Sequence, residues 1–115
     1  MTLPFLREYC LAKPGSTEDT PFDANTLCFR VCGKIYALVD MDLFESINLK
    51  CDPERAVELR EQYEGISPGY HMNKKHWNTV KLGGSVPDPV LLQLVDHSYQ
   101  LVLNSLPKRI QSTIS

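Results

Sequence analysis

Three short segments in the first half of the chain have apolar residues in patterns typical of β-strands. Thr26–Cys32 and Ile35–Asp40 are rich in β-branched and aromatic residues, which favour strands. Gly33 and Lys34 lie between them and indicate a tight turn, so these two segments are predicted to form a β-hairpin. In Ser46–Cys51 apolar and polar residues alternate, which predicts a third strand.

Both faces of this hairpin are partly apolar. With an even-length loop, one face would carry Leu27, Phe29, Val31, Tyr36 and Leu38. The other face would carry Cys28, Arg30, Cys32, Ile35, Ala37 and Val39. A one-residue bulge would reverse the facing of the second strand, so the pattern leaves open which of its sides is buried.

Three other segments repeat their apolar residues with the helical period. They are Leu3–Ala12, Pro53–Glu64 and, approximately, Pro89–Leu106. Thr2 and Asp52 stand just before the first two, where a side-chain oxygen can accept the free N–H groups of the first turn. Asp88 is expected to start the third helix in the same way.

Between the second and third helices the residues predict four short features. These are a turn at Ser67–Gly69, an extended piece at Tyr70–Met72, a single helical turn beginning at Asn73, and a last strand at Trp77–Leu82.

Together these elements predict an α+β fold, in which helices cover one face of a sheet of four to six strands. The 115 residues are expected to form a single domain, 1–115, because a chain of this length builds one modest core. Residues 108–115 follow a proline and are predicted to fray.

The composition is that of a soluble globular protein, with 43% hydrophobic residues and a formal net charge of −2. No apolar run approaches the ~20 residues that span a bilayer, and the first residues do not resemble a signal peptide. We therefore expect a cytoplasmic, monomeric protein with no membrane contact. Its cysteines form no C-x-x-C pair and are expected to be reduced and mostly buried.

Charge is distributed unevenly along the chain. Residues 40–64 carry eight acids and three bases, whereas residues 65–87 carry three lysines and no acid. Because the whole molecule is slightly acidic, any nucleic-acid binding must come from a local basic surface.

Several short motifs occur in order and carry a family resemblance. They are K-P-G at Lys13–Gly15, T-P-F at Thr20–Phe22, V-C-G-K at Val31–Lys34, S-I-N-L-K at Ser46–Lys50, the run Cys51–Val80, G-S-V-P-D at Gly84–Asp88 and D-H-S-Y at Asp96–Tyr99. In these motifs the chain resembles the MmcQ/YjbR family of small bacterial proteins. The resemblance spans roughly residues 6–107.

This resemblance implies a CyaY-like fold, with an antiparallel sheet backed by helices and the first and last helices side by side. It also implies a DNA-binding role in which hairpin "wings" contact the duplex. Two positions depart from the family pattern, Cys32 and Asp23, where relatives often carry glycine. The first departure leaves the type of the hairpin turn open.

The main functional hypothesis is therefore a DNA-binding protein without catalysis or cofactor, acting through a basic patch and hairpin wings. Lys74, Lys75 and Lys81 are the expected phosphate contacts, with His76 and Lys34 in support. Arg30, Lys50 and Lys13 would extend the patch. Such binding would be weak and would fall as salt rises.

The residues also allow other interpretations. The lysines could be an ordinary solvated surface, with Trp77 in the core. Asn73 and the following N–H groups could hold a small anion. The open sheet face could bind a protein or a small anionic ligand.

Enzymatic and metal-binding roles are not expected. A cysteine–histidine pair would need Cys28 or Cys51 beside His71 or His76 as a thiolate, but strand cysteines are usually buried and inert. The cysteines and histidines lack zinc spacing, and the glutamates of the second helix read as a solvated face. His97 is expected to be a structural or surface histidine.

Overall fold

The computed structural model describes residues 1–69 and 72–114, which contain four helices and six strands. The helices are α1 (Leu3–Leu11), α2 (Pro53–Gln62), α3 (Asp88–Asn104) and α4 (Lys108–Gln111). The strands are β1 (Ser16–Asp19), β2 (Thr26–Val31), β3 (Lys34–Asp40), β4 (Ser46–Lys50), β5 (Ile66–Pro68) and β6 (Trp77–Lys81).

The six strands form one antiparallel sheet in the order β1-β2-β3-β4-β6-β5. The predicted α+β architecture is confirmed, with an antiparallel sheet of six strands and helices at both ends of the chain. Within the described residues, no helix is both long and apolar enough to cross a membrane.

The core lies between one face of the sheet and the helices. Buried side chains of α1, α2 and α3 pack with Phe29, Ile47 and Val80 of the sheet in one cluster. Helices α1 and α3 lie side by side, since the Tyr9 hydroxyl donates to Asp96 Oδ1 over 2.7 Å. We call the opposite side of the sheet, which carries Leu38, Asn48 and Thr79, the open face.

A bulge decides which side of β3 is buried. Phe29 pairs with Ala37 but Arg30 pairs with Ile35, so Tyr36 is an extra residue in β3. Ala37 therefore shares the core face with Phe29, and Tyr36 also turns its side chain into the core. The bulged alternative is therefore the one that the protein adopts, and it places Leu38 on the face opposite Phe29.

The hairpin turn contains Cys32 and Gly33, one residue earlier than predicted. Their φ values are 49° and 89°, and two positive φ values at the centre of a two-residue loop are typical of a type I′ turn. Cys32 thus occupies a conformation that glycine adopts more easily, which answers the question raised by its departure from the family pattern.

Two helix starts follow the predicted chemistry and one does not. Thr2 Oγ1 accepts the N–H of Phe5, and Asp52 Oδ2 accepts the N–H of Arg55, each over 3.3 Å. At α3 the cap position belongs to Pro87, which makes no side-chain cap, and Asp88 lies in the first turn.

One other prediction is wrong. Ser67 and Pro68 belong to β5, whereas a turn was predicted there, and of the extended piece at 70–72 the first two residues lie outside the described part of the chain. In the segment that was predicted to fray, Lys108–Gln111 form α4 and Ile114 packs on the core.

Candidate nucleic-acid interface

The strand register brings the β2–β3 turn and the segment before β6 to the same end of the sheet. Val31 pairs with Lys34 beside the hairpin turn, and Lys50 pairs with Trp77 two strands away. We call this end, formed by residues 30–34, 50 and 72–77, the turn end. It gathers six of the predicted site residues: Arg30, Lys34, Lys50, Lys74, Lys75 and His76.

The seventh predicted residue, Lys81, lies at the opposite end of the sheet. It pairs with Ser46, four residues along β4 from Lys50, which is a separation of about 14 Å along the strand. Lys81 and Glu64 line one shallow polar concavity there, and Glu45 accepts a backbone bond from Leu82. Lys81 therefore does not share a surface with the other cations.

Five carboxylates lie at the same end of the sheet as Lys81, which we call the acidic end. They are Asp23, Asp40, Asp42, Glu45 and Glu64. Lys34, Lys50 and Lys75 thus lie at one end of the sheet, and these five carboxylates lie with Lys81 at the other end. The distribution of charge in space differs from its distribution along the sequence, because Lys81 lies at the opposite end of the sheet from Lys74 and Lys75.

Arg60 of α2 holds the segment that carries Lys74 and Lys75. Its Nε donates to Asn78 Oδ1 over 2.7 Å, and its second guanidinium nitrogen donates to the carbonyl of Lys74. Asn78 is only 2% exposed, so this bond satisfies a buried amide oxygen. From its sequence Arg60 looked like a solvent-facing residue among glutamates, and no local pattern marks its inward role.

The segment is also fixed by its own backbone. The N–H groups of His76 and Trp77 donate to the Asn73 carbonyl, which confirms the predicted single turn. The His76 carbonyl accepts the N–H of Cys51 over 2.7 Å. Asn73 Oδ1 accepts the N–H of Lys75, so this side chain is engaged within the turn and gives no support to the small-anion interpretation.

Arg30 braces the hairpin turn. Its Nε donates to Asp19 Oδ1 over 3.0 Å, and its Nη1 donates to the Gly33 carbonyl over the same distance. Because its charge is paired with Asp19 and it also donates to the Gly33 carbonyl, Arg30 orients the turn that carries Lys34. Lys34 itself is exposed at the tip.

Few of the lysines at the turn end are neutralised by a carboxylate. Within residues 1–69 and 72–114, Lys34, Lys50 and Lys75 make no ion pair closer than 4.0 Å. The nearest carboxylate in sequence, Asp52, caps α2. Trp77 is half-buried on the open face opposite Lys50.

Helix α4 adds cations that the sequence analysis missed. Ile114 lies against Gly15, where a Cβ on Gly15 would lie 2.9 Å from Ile114 Cγ2. Because the Gly15 carbonyl accepts the N–H of Cys32, this contact holds the segment after α4 near the hairpin turn. Lys108 lines a broad surface concavity together with Pro14 and Ile114. Arg109 follows it and is exposed. The four-residue spacing of Ile110 and Ile114 was the available signal for a docked helical turn.

The D-H-S-Y motif is used to join the elements rather than to form a site. Asp96 accepts from Tyr9 and from Lys13, whose ammonium also lies 5.2 Å from the centre of the Tyr99 ring. The Tyr99 hydroxyl donates to the carbonyl of Pro14. Burial, assisted by the bond to Asp96, raises the pKa of Tyr9 to about 12. These contacts bind the K-P-G segment to α3.

The two central residues of the motif fix α3 to β3 and β4. Ser98, which is fully buried, donates to the Tyr36 carbonyl and accepts the N–H of Lys50 over 2.9 Å. His97 Nε2 accepts the N–H of Asp52 over 3.2 Å. His97 is therefore a structural residue that must be neutral to keep this bond.

Mild acid is expected to destabilise the protein through His97. Burial, followed by the nearby Arg55 charge, lowers the pKa of His97 below its usual value near 6.5. Since the folded pKa lies below the unfolded one, this stability is present above pH 6.5 and is lost as pH falls through the folded pKa. Urea unfolding at pH 7.5 and 5.0 should show a larger loss for the native protein than for His97→Gln. An equal loss in both would contradict this role.

Three of the four cysteines have buried thiols, and the predicted histidine partner His71 lies outside the described residues. Cys10, Cys28 and Cys51 are buried, and burial raises the pKa of each thiol, to about 11 for Cys10. A raised pKa disfavours the thiolate that nucleophilic or metal chemistry requires. Within residues 1–69 and 72–114, no three His, Cys, Asp or Glu side chains cluster as metal ligands.

Comparison with known proteins gives a consistent family. The sequence model of the YjbR family matches residues 11–101. The chain is 39% identical over 109 residues to the uncharacterised protein YjbR of Escherichia coli K12, covering 94% of this chain and 92% of the relative. A shorter match of 55 residues, 42% identical, joins it to the uncharacterised protein YyaQ of Bacillus subtilis, covering 48% of this chain and 46% of the relative.

Solved structures agree with the sequence comparison. A crystal structure from Deinococcus radiodurans has a TM-score of 0.90 at 41% identity, covering 97% of this chain and 86% of that one. A crystal structure from Pseudomonas syringae has a TM-score of 0.74 at 31% identity, covering 89% and 99%. Neither structure's description assigns an activity or a ligand.

Proposed function

The chain belongs to the YjbR family, and from the charge arrangement of its sheet we propose that it binds double-stranded DNA through the turn end. The observation that carries this proposal is that three lysines, which make no ion pair within residues 1–69 and 72–114, lie together at the turn end and away from the five carboxylates of the acidic end. Lys34, Lys50 and Lys75 come from three different elements and meet only because of the strand register. This surface corresponds to the contact by hairpin wings that the family resemblance implies.

The size of the turn end suits a short piece of duplex. The hairpin strand β2 and the strand β6 are three strand spacings apart, about 14 Å. At 3.4 Å per base pair, this width covers about four base pairs. Three lysines across such a width can each neutralise one phosphate, and Lys74, Lys108 and Arg109 lie at the margins.

The acidic end is expected to orient the protein as it approaches DNA. A molecule with net charge −2 is not attracted to DNA as a whole, but its dipole turns the lysines toward the phosphates and the carboxylates away. Contacts to phosphate carry no sequence information by themselves. We therefore infer weak binding to duplex DNA that does not depend on base sequence.

The salt dependence of binding tests this proposal. With three phosphates neutralised, the logarithm of the association constant should fall with a slope of about −2.7 against the logarithm of salt concentration. Raising salt from 50 to 200 mM would then weaken binding roughly 40-fold. Fluorescence anisotropy with a labelled 20-base-pair duplex measures this directly. No binding at 50 mM, or a slope near zero, would reject the proposal.

A further inference from the structure

The open face of the sheet contains a concavity of about 450 Å³ that the DNA proposal does not use. Phe22, from the segment between β1 and β2, and Met72, from the segment before β6, line its sides. Ile35 and Leu38 form an apolar floor. This volume lies in the range of small-molecule sites, which are mostly apolar with a few placed polar groups.

The polar lining of this concavity carries a single charge. Thr26, Asp40, Ser46 and Asn48 line it, and no basic side chain is among its described lining residues. Lys81, which stands next to Ser46 across the sheet, is outside the lining. Asp40 is therefore the one charged side chain among the described lining residues, and it can pair with a cationic ligand.

One of the two oxygens of the Asp40 carboxylate is held by backbone hydrogen bonds. Its Oδ1 accepts the N–H groups of Asp42 and Leu43 over 2.9 and 3.1 Å. Within the part of the chain that is described, Oδ2 makes no hydrogen bond or ion pair. On the next strand, Asn48 Oδ1 accepts from Thr79 over 2.6 Å, which fixes the amide and leaves its N–H₂ group to donate.

We propose that this concavity binds a small ligand with an apolar body and a protonated amine, the amine pairing with Asp40 Oδ2. The apolar body would pack on Leu38 and Ile35 between Phe22 and Met72. Phe22 is 67% exposed in the unbound protein, and such a ligand would cover it. The proposal reverses the sign of the anionic small ligand considered from the sequence, because a carboxylate would meet Asp40 at the same place.

Amine binding can be tested without DNA and so independently of the function proposed above. Isotope-labelled protein is titrated with 2-phenylethylamine and with hexylamine, and amide shifts are followed by NMR. We expect saturable shifts at residues 38–40 and 46–48. The neutral 2-phenylethanol should bind at least ten-fold more weakly, because it lacks the charge-assisted bond, and 3-phenylpropanoate should not bind.

Two matched variants separate the charge from the fold. Asp40→Asn keeps the Oδ1 acceptor of the turn and should weaken amine binding about ten-fold or more, whereas Asp42→Asn removes an equal charge outside the lining and should leave it unchanged. Ser46→Phe should fill the concavity and abolish binding. Absence of saturable binding by both amines, or equal affinity for amine and alcohol in a manner that Asp40→Asn does not alter, would overturn the proposal.

Discussion

Replacing Arg60 with methionine is expected to lower the free energy of unfolding by about 2–4 kcal/mol. The side chain donates to buried Asn78 and to the carbonyl of Lys74, and methionine can donate to neither. A buried amide oxygen left without a donor costs about 1–3 kcal/mol, and the segment before β6 would lose its link to α2. Urea unfolding followed by circular dichroism measures the change.

Arg55→Met is the matched control for this variant. Arg55 stands five residues earlier on the same helix, also half-buried, and its side chain makes no hydrogen bond within residues 1–69 and 72–114. We expect that variant to lose less than about 1 kcal/mol. Equal losses for the two arginines would show that Arg60 contributes only its bulk, and the bond to Asn78 would then be without consequence.

The strands and helices with a clear hydrophobic pattern could be predicted from the sequence. β2, β3, β4, α1 and α2 each lie within two residues of their predicted bounds, because their residues have the spacing or the composition typical of the element they form. β5 was not accessible, since its three residues, Ile66–Pro68, contain a proline and resemble a turn. It is an edge strand, where a missing N–H donor is tolerated.

The facing of β3 could not be decided from the sequence. Ala37, Leu38 and Val39 are all apolar, so burial of either side was compatible with the pattern. The choice depends on Tyr36, whose hydroxyl contacts Ser16 over 2.7 Å and whose ring meets Tyr99 edge-on at 5.4 Å. These partners are 20 and 63 residues away in sequence, and no local pattern contains them.

Lys81 was misplaced for the same reason, because a local sequence pattern does not show how strands pair in the sheet. Lys81 lies six residues after Lys75, and an extended chain carries it along β6 to the opposite end of the sheet. An acid-free run of sequence is therefore not one basic surface. Conversely, Lys34 and Lys50 lie with Lys75 although they are remote in sequence, because the strand register brings them to the same end of the sheet.

Charge reversal at the turn end is expected to produce the largest functional effect. Each lysine that neutralises a phosphate adds about 1 to the salt slope, and reversing its sign adds repulsion. The variant Lys34→Glu with Lys75→Glu should therefore bind a 20-base-pair duplex at least about 100-fold more weakly than the native protein at 50 mM salt. Both residues are exposed, so stability should change by less than about 0.5 kcal/mol.

Lys75→Glu and Lys81→Glu form the decisive pair, because they change the net charge equally at opposite ends of the same sheet. Duplex affinity measured by anisotropy at 50 mM salt should fall about ten-fold for Lys75→Glu and less than about two-fold for Lys81→Glu. Equal losses would mean that only total charge matters, and unchanged affinity in both would mean that DNA does not meet the turn end.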